Sequence, residues 1–394
     1  MINDRLALLR DYPFRRLSAL LNGLAPPSGV PPIVMSIGEP RHAYPRFVTE
    51  ILTREAESWG KYPPTPGTAS FRAAVGDWLA RRYRLADGVL DPDRQVLPVA
   101  GTREALFALA LAVVPPDKAG RRPAVLIPDP FYQVYSGAAV MAGAEPVYLP
   151  TTAESGFLPD FDAVPEQVLA RTALVYLCSP ANPQGTIADL DYLRALVGRA
   201  RDHDFVLAAD ECYSEIYDRS PPPGVVEACA GLGDDMAHVI AFHSLSKRSS
   251  VPGLRSGFVV GGADLIGHFA RLRMYTGGVT PLPVLAAAEA LWRDEIHVEE
   301  NRNLYRAKFD IAEQMLAGRA GFYRPPGGFY LWLDVGDGEA AARRLWTEAG
   351  VKVMPGAYLS REGAAAPGRA YIRVALVPDR DTTADAVDRM AAVL

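Results

Sequence analysis

The stretch Ala173-Leu-Val-Tyr-Leu-Cys178, Ser179-Pro-Ala-Asn-Pro-Gln-Gly185, then Leu190–His203, then Phe205-Val-Leu-Ala-Ala209 followed by Asp210-Glu-Cys-Tyr213, decides the fold. Two short runs are solidly apolar rather than alternating, as strands covered on both faces are. The segment between them has the length and amphipathic spacing of a helix, so the whole reads as one strand–helix–strand unit. Working outward, the same rhythm recurs. Further strand candidates are Gln95–Ala100, Ala124–Pro128, Glu145–Leu149, His238–Phe242 and Ser256–Val260, and the segments Arg103–Val113 and Tyr132–Met141 read as helices. Alternation of this kind predicts an α/β fold with a mainly parallel, doubly wound sheet. After the strands come Gly101-Thr-Arg103, Asp129-Pro-Phe-Tyr132, Ser179–Gly185, Asp210–Tyr213 and Ser244-Leu-Ser-Lys247. Ligands bind such sheets beyond the carboxyl ends of the strands, so these five loops converge on one candidate site. Turn-forming needs explain the glycines and prolines there, but not the assortment of hydroxyl, amine, carboxylate and guanidinium groups.

The ends of the chain have a different pattern. Residues 1 to about 44 contain a short amphipathic helix and then the Pro/Gly-rich stretch Ala25–Pro32. From about residue 284 a helical region runs to Leu316, followed by strand-like Gly328–Val335 and Ala370–Val377 with a helix at Glu339–Ala349 between them. We therefore expect a large domain over 45–284 and a smaller α+β domain built from 1–44 and 285–394. The chain has 394 residues and a formal net charge of −5, with no basic face for nucleic acid. Its longest apolar run, Ala105–Val114, falls short of a membrane span, and Met1-Ile-Asn-Asp-Arg5 lacks the apolar core of a signal peptide, so a cytoplasmic location is expected. Three cysteines without a Cys-x-x-Cys suggest neither disulfide framework nor zinc site, and the six histidines show no metal spacing.

Of 41 basic residues only five are lysines: Lys61, Lys118, Lys247, Lys308 and Lys352. An amine can lose its proton near neutrality and form a Schiff base with a carbonyl, which a guanidinium cannot. Lys247 stands in the loop that also offers Ser244, with Arg255 eight residues later. That trio suits covalent capture of an aldehyde whose phosphate is held by the serine and arginine. Gly101-Thr102-Arg103 opens a helix, where free N–H groups favour an anion. Asp210 ends an apolar strand, where a carboxylate is penalised unless a cation such as a pyridinium pairs with it. Tyr213 follows within reach of a phenolate oxygen.

Tyr62-x4-Gly67, Gly101-Thr-Arg103, Pro130-Phe-Tyr132, Asn182-Pro-x-Gly185, Asp210-x-x-Tyr213, Ser244-Leu-Ser-Lys247, Gly253-x-Arg255 and Arg373, in that order, resemble the fold-type I, class I/II aminotransferases that use pyridoxal 5′-phosphate (PLP). The resemblance covers essentially the whole chain. It implies that Lys247 carries the cofactor and shuttles the substrate proton, and that Asp210 keeps the pyridine nitrogen protonated. Tyr213 and Asn182 would bond the 3′ oxygen and Tyr132 would stack on the ring. Gly101, Thr102, Arg103, Ser244 and Arg255 would surround the phosphate, joined by Tyr62 from a neighbouring subunit of a homodimer. Gly38, Asn182 and Arg373 would hold the substrate carboxylate. More narrowly, Ser36–His42, Asp129–Tyr135, Phe242–Arg248, Val251–Gly257 and Gly328–Leu333 look like bacterial N-succinyldiaminopimelate aminotransferases. These exchange an amino group with glutamate/2-oxoglutarate in lysine and peptidoglycan-precursor synthesis. Such a donor carries extra carboxylates, for which Arg41, Arg248 and Arg273 are the candidate partners, with arginine at position 41 where that subfamily leads one to expect lysine. Other class I aminotransferases (aspartate, alanine, aromatic) and a PLP-dependent C–S lyase keep the same central residues and remain alternatives.

Overall fold

The computed structural model describes residues 2–394. Strands β1 (Val96–Val99), β2 (Ala124–Asp129), β3 (Glu145–Pro150), β4 (Thr172–Cys178), β5 (Val206–Asp210), β6 (Val239–Ser244) and β7 (Gly257–Gly261) form one sheet in the order β1-β7-β6-β5-β4-β2-β3. Only β7 runs against its neighbours. The pairs β6–β5, β5–β4, β4–β2 and β2–β3 are all parallel. Every residue of β2, β4, β6 and β7 is buried, which is why these strands are solidly apolar in sequence.

Helices cover both faces. In β4, Val175 and Leu177 join one core and Leu174 and Tyr176 the other, as the two-residue period of a strand requires. The first core takes up α2 (Phe47–Arg54), α3 (Ala69–Tyr83), α6 (Leu190–Asp202) and α7 (Val225–Leu232). The second takes up α4 (Thr102–Val113), α5 (Gln133–Met141) and α8 (Ala263–Thr276). An earlier helix, α1 (Pro13–Leu20), lies outside both cores and packs Leu17 against Trp332 and Tyr358.

A second, antiparallel sheet is made of β8 (Tyr330–Asp334), β9 (Met354–Pro355) and β10 (Tyr371–Ala375), in the order β9-β10-β8. Beside it, Ile33–Val34 pairs in parallel with Val351–Lys352, so the two ends of the chain meet. Their shared core contains Ile33, Met35, Phe309, Leu331, Leu345, Ile372 and Met390. Helices α11 (Gly338–Ala349) and α12 (Arg380–Val393) complete it. Between α8 and β8 the chain forms two further helices, α9 (Leu282–Arg293) and α10 (Ile296–Leu316). The expected boundary at residue 284 cuts through α9, whose Leu285, Ala288, Leu291 and Trp292 belong to the large core with α2 and α3. We propose that the division falls after Arg293 instead, because burial of one continuous helix face holds α9 to the larger unit.

Candidate active site

Two parallel strands deliver the central groups. β5 ends at Asp210, β6 ends at Ser244, and the helical turn Leu245–Arg248 that follows β6 carries Lys247. Ser244 caps that turn, its Oγ accepting the Ser246 N–H at 3.1 Å. The Lys247 amine donates to the Gly38 carbonyl at 2.6 Å and lies 5.9 Å from the Tyr213 ring centre. Burial, the largest influence, together with the Arg373 and Arg103 charges and against Cys212 and Glu39, lowers its pKa to about 8. A fraction of it is therefore a free amine near neutrality. Asp210 is 5% exposed and accepts the Tyr135 hydroxyl at 2.5 Å and the Cys212 N–H at 3.3 Å. Burial raises its pKa, opposed by those hydrogen bonds from Cys212 and Tyr135. Among the described residues no cation stands within ion-pair distance of it.

One side of the cavity gathers groups whose chemistry suits an anion. Gly101 precedes α4 with φ +89°, a conformation that favours glycine, and a Cβ there would collide with the Arg255 guanidinium. The glycine thus lets Arg255 approach the start of α4, where Thr102 and Arg103 present their side chains. Arg103 donates from Nε to the Tyr132 hydroxyl at 2.6 Å, and Thr102 Oγ1 lies 3.2 Å from Cys212 Sγ.

The opposite side comes from the smaller sheet. Arg373, on β10, is 5% exposed, donates from Nη1 to Asn182 Oδ1 at 3.0 Å and from Nη2 to the Ser36 carbonyl at 2.9 Å, and stacks over Tyr330 at 4.4 Å. Its Nε has no partner. A guanidinium has five N–H donors, so three remain for an incoming carboxylate. The Tyr330 hydroxyl meets that of Tyr213 at 3.1 Å, and it sits so close to Gly38 that a Cβ at position 38 would overlap it.

A cavity of about 650 Å³ is bounded by Gly38, Thr102, Arg103, Tyr132, Asn182, Asp210, Tyr213, Ser244, Lys247, Arg255 and Arg373. These eleven sequence candidates thus come together. Tyr62 does not join them; its side chain is fully solvent-exposed. Of the three arginines expected to meet a distal carboxylate, none lines the cavity. Arg248 is buried and donates to Glu295 at 2.7 Å and the Leu291 carbonyl at 2.7 Å, while Arg273 is buried on Glu104 at 2.5 Å. Both are structural ion pairs, since an unpaired buried guanidinium would be costly. Arg41 is exposed and stands beside Lys308 rather than Lys247. Sequence reasoning assigned no role to Tyr135, Tyr330 or Glu39. Tyr135 closes the segment Asp129–Tyr135, which already resembled the family, but only the fold shows that its hydroxyl reaches Asp210.

The residues present fit PLP: a buried carboxylate lacking a cation, an amine of lowered pKa, and a cradle that a Cβ would fill. Known proteins agree. The family model for class I and II aminotransferases matches residues 30–390. The LL-diaminopimelate aminotransferase of Syntrophobacter fumaroxidans is 32% identical over 98% of this chain and 97% of its own. An aminotransferase structure from Neisseria meningitidis superposes with TM-score 0.94 at 41% identity, covering 99% of both chains. The aminotransferase AspB of Helicobacter pylori does so with TM-score 0.89 at 35% identity, covering 97% of this chain and 98% of that one. This chain belongs to the class I and II aminotransferases, fold-type I enzymes that depend on pyridoxal 5′-phosphate.

Proposed function

We propose that this enzyme moves an amino group between glutamate/2-oxoglutarate and a diaminopimelate-type donor, with N-succinyl-L,L-diaminopimelate as the donor that its sequence segments resemble. The observation that carries the reading is Arg373, with three free N–H donors, facing the Lys247 amine across one cavity. Bound PLP supplies an electron sink for the substrate α-carbon. The chain's own residues do the rest. Arg373 and Asn182 hold the α-carboxylate, and Lys247 takes and returns the proton at the α-carbon, for which a pKa of about 8 is well matched to neutral pH. Asp210, with its hydrogen bond from Tyr135, holds a proton on the ring nitrogen by charge. Tyr213 and Asn182 serve the 3′ oxygen and Tyr132 the ring face. Thr102, Arg103, Ser244 and Arg255 take the phosphate around Gly101. Gly38 lends its carbonyl to Lys247 and, having no side chain, leaves room for Tyr330.

A second reading rests on Glu39, which lines the cavity while Arg41, Arg248 and Arg273 do not. The Glu39 carboxylate suits the distal ammonium of unacylated LL-diaminopimelate, the donor in the name of the Syntrophobacter relative. We also propose a homodimer with Tyr62 serving the neighbouring site. Among the described residues no helix is long and apolar enough to cross a membrane, and a cytoplasmic location is part of the proposal.

The test is a half-reaction. The PLP-loaded protein is mixed with one donor and no oxo acid, and the cofactor absorption band is followed. Faster conversion by the N-succinyl donor than by LL-diaminopimelate, aspartate, alanine or phenylalanine supports the first reading. Conversion by the unacylated donor alone selects the second. Release of an oxo acid without any amino acceptor would point to a C–S lyase, and absence of the band would overturn the reading of Lys247.

A further inference from the structure

Lys308 is one of the few lysines of this arginine-rich chain, and it lies on α10, outside the cavity. Its side chain is 1% exposed, and its amine donates to the Leu376 carbonyl at 3.1 Å and to His42 Nε2 at 2.6 Å. An ammonium cannot accept, so Nε2 is the acceptor and the imidazole proton sits on Nδ1. Nδ1–H then donates to Asn301 Oδ1 at 2.6 Å. The Asn301 oxygen also takes the Ser250 hydroxyl at 3.2 Å, which leaves the amide nitrogen to donate to the main-chain carbonyls of Lys247 and Arg248, both at 3.2 Å. The bonds form a chain with one direction: Lys308 to His42 to Asn301 to the Lys247 main chain. The other His42 tautomer would set an Nε2 proton against the Lys308 ammonium and leave Nδ1 facing the Asn301 oxygen without a proton to donate.

The chain joins the two sides of the site. Its far end holds Leu376, just beyond the strand that carries Arg373. Its middle holds His42, at the end of a segment fastened twice more, by Arg373 on the Ser36 carbonyl and by the Lys247 amine on the Gly38 carbonyl. We propose that Lys308, His42 and Asn301 are positioning residues that lock segment 36–42 and the Lys247 turn in one register, keeping the Gly38 carbonyl against the reactive amine as the Arg373 strand takes up a carboxylate. The charges are consistent with a fixed direction. Burial, then the Lys308 charge, push His42 down to about 4 against the Asn301 hydrogen bond, so the ring stays neutral at working pH. Lys308 is lowered to about 8 by burial, with Asp379 opposing and Arg41 assisting. His42 packs on Tyr305 at 4.4 Å, which in turn stacks on Phe329 beside the Lys247 amine.

The inference rests on Lys247 being the reactive amine, and three variants test it. His42→Phe keeps the ring volume against Tyr305 and removes the chain. His42→Gln restores a donor beside an acceptor at nearly the imidazole spacing. Lys308→Met removes the first donor. Besides kcat, KM and unfolding temperature, the cofactor-free protein is treated with an amine-directed acylating reagent across pH, and labelling at Lys247 is read by peptide mass spectrometry. That profile reports the field of Cys212, Arg373, Glu39 and Arg103 together with the dryness of the site. With His42→Phe and Lys308→Met, kcat is expected to fall by about 10–100-fold while KM changes far less. The Lys247 labelling midpoint is expected to rise by about one pH unit as water reaches the amine. His42→Gln should stay close to the parent on both. The proposal is overturned if Phe and Met variants keep the parent midpoint and kcat, or if Gln falls with Phe in step with lost thermal stability. Should the parent protein form no PLP band and show no preferential labelling at Lys247, the proposed function fails instead. Should His42→Phe not fold, Lys308→Met and His42→Gln still decide.

Discussion

Asp210 shows most clearly what the site expects of its ligand. Its carboxylate is buried with a tyrosine hydroxyl and an amide as neutral partners, so its charge is useful only when a cation arrives. Tyr135→Phe removes one hydrogen bond to that charge, worth about 1.5–3 kcal/mol for a bond to an ionised group. PLP affinity, measured by equilibrium dialysis, should therefore fall by roughly 10–100-fold, with the fold intact because the ring stays stacked on Tyr176. Lys247 gives a prediction of the opposite kind. Its pKa lies near 8 in the folded chain against an ordinary 10.5, so burial penalises the charged amine at neutral pH. That penalty is complete below pH 8, shrinks as the folded chain releases its proton first, and is gone above the ordinary value. Lys247→Met should accordingly abolish transamination yet raise the urea midpoint of cofactor-free protein at pH 7. The gain should fade as pH rises from 8 towards 10. A gain that is constant with pH would contradict the burial argument. The arginines mark where single-residue reading stops. Arg248 and Arg273 stand near the motifs in sequence, but their partners Glu295 and Glu104 are 47 and 169 positions away, and nothing local says that they are already engaged.

Strands β2, β4, β6 and β7 were legible because every residue in them is buried, and a run of apolar residues ending in a polar loop leaves a local signal; β3, at the sheet edge, is only partly buried. The pairing of Ile33–Val34 with Val351–Lys352 was not legible, since two residues carry no period and the partners are joined only by the finished fold. The core that α9 fills was not legible for a related reason: its apolar face is evident, whereas the neighbours it packs on are a property of the finished fold. Lys118 shows the other use of an amine in this chain. Its three protons meet the carbonyls of Thr172, His203 and Asp204, tying the start of β4 to the end of α6. The start of α4 is where an element makes chemistry, because the helix begins on a glycine with positive φ against which Arg255 rests. Gly101→Ala forces an L residue into that conformation at about 1–3 kcal/mol and displaces the guanidinium. The expected result is a modest loss of thermal stability with a larger loss of PLP affinity. Equal losses, or a loss of stability alone, would mean that Arg255 does not serve the phosphate.

Tyr62 lies apart from the cavity of its own chain, its side chain fully exposed while the eleven gathered residues line the cavity. Trp59, Met274, Tyr275 and Ile296 are also large, apolar and more than half exposed, an unusual amount of such surface to leave wet. A twofold dimer accounts for both facts if each subunit lends Tyr62 to the other's cradle. The two sites of such a dimer are then each made from two chains, and a mixture of defective chains can rebuild one. Lys247→Ala subunits keep Tyr62 but lack the amine; Tyr62→Phe subunits keep the amine but lack the hydroxyl. Tyr62→Phe homodimers should bind PLP about 10-fold or more weakly, the usual range for a bond to a charged oxygen. Lys247→Ala homodimers should be inactive at any PLP concentration. A hybrid dimer, co-expressed with two tags and purified through both, contains one site with Lys247 and a neighbouring Tyr62 and one site with neither. At a PLP concentration that leaves Tyr62→Phe homodimers mostly empty, the hybrid should show about half the wild-type activity per dimer. If Tyr62 acted within its own chain, the hybrid's only Lys247 would lie in the subunit that lacks the hydroxyl, and activity would stay at half that of the Tyr62→Phe homodimer. The two arrangements therefore differ by the whole affinity contribution of one hydroxyl, read at a single PLP concentration.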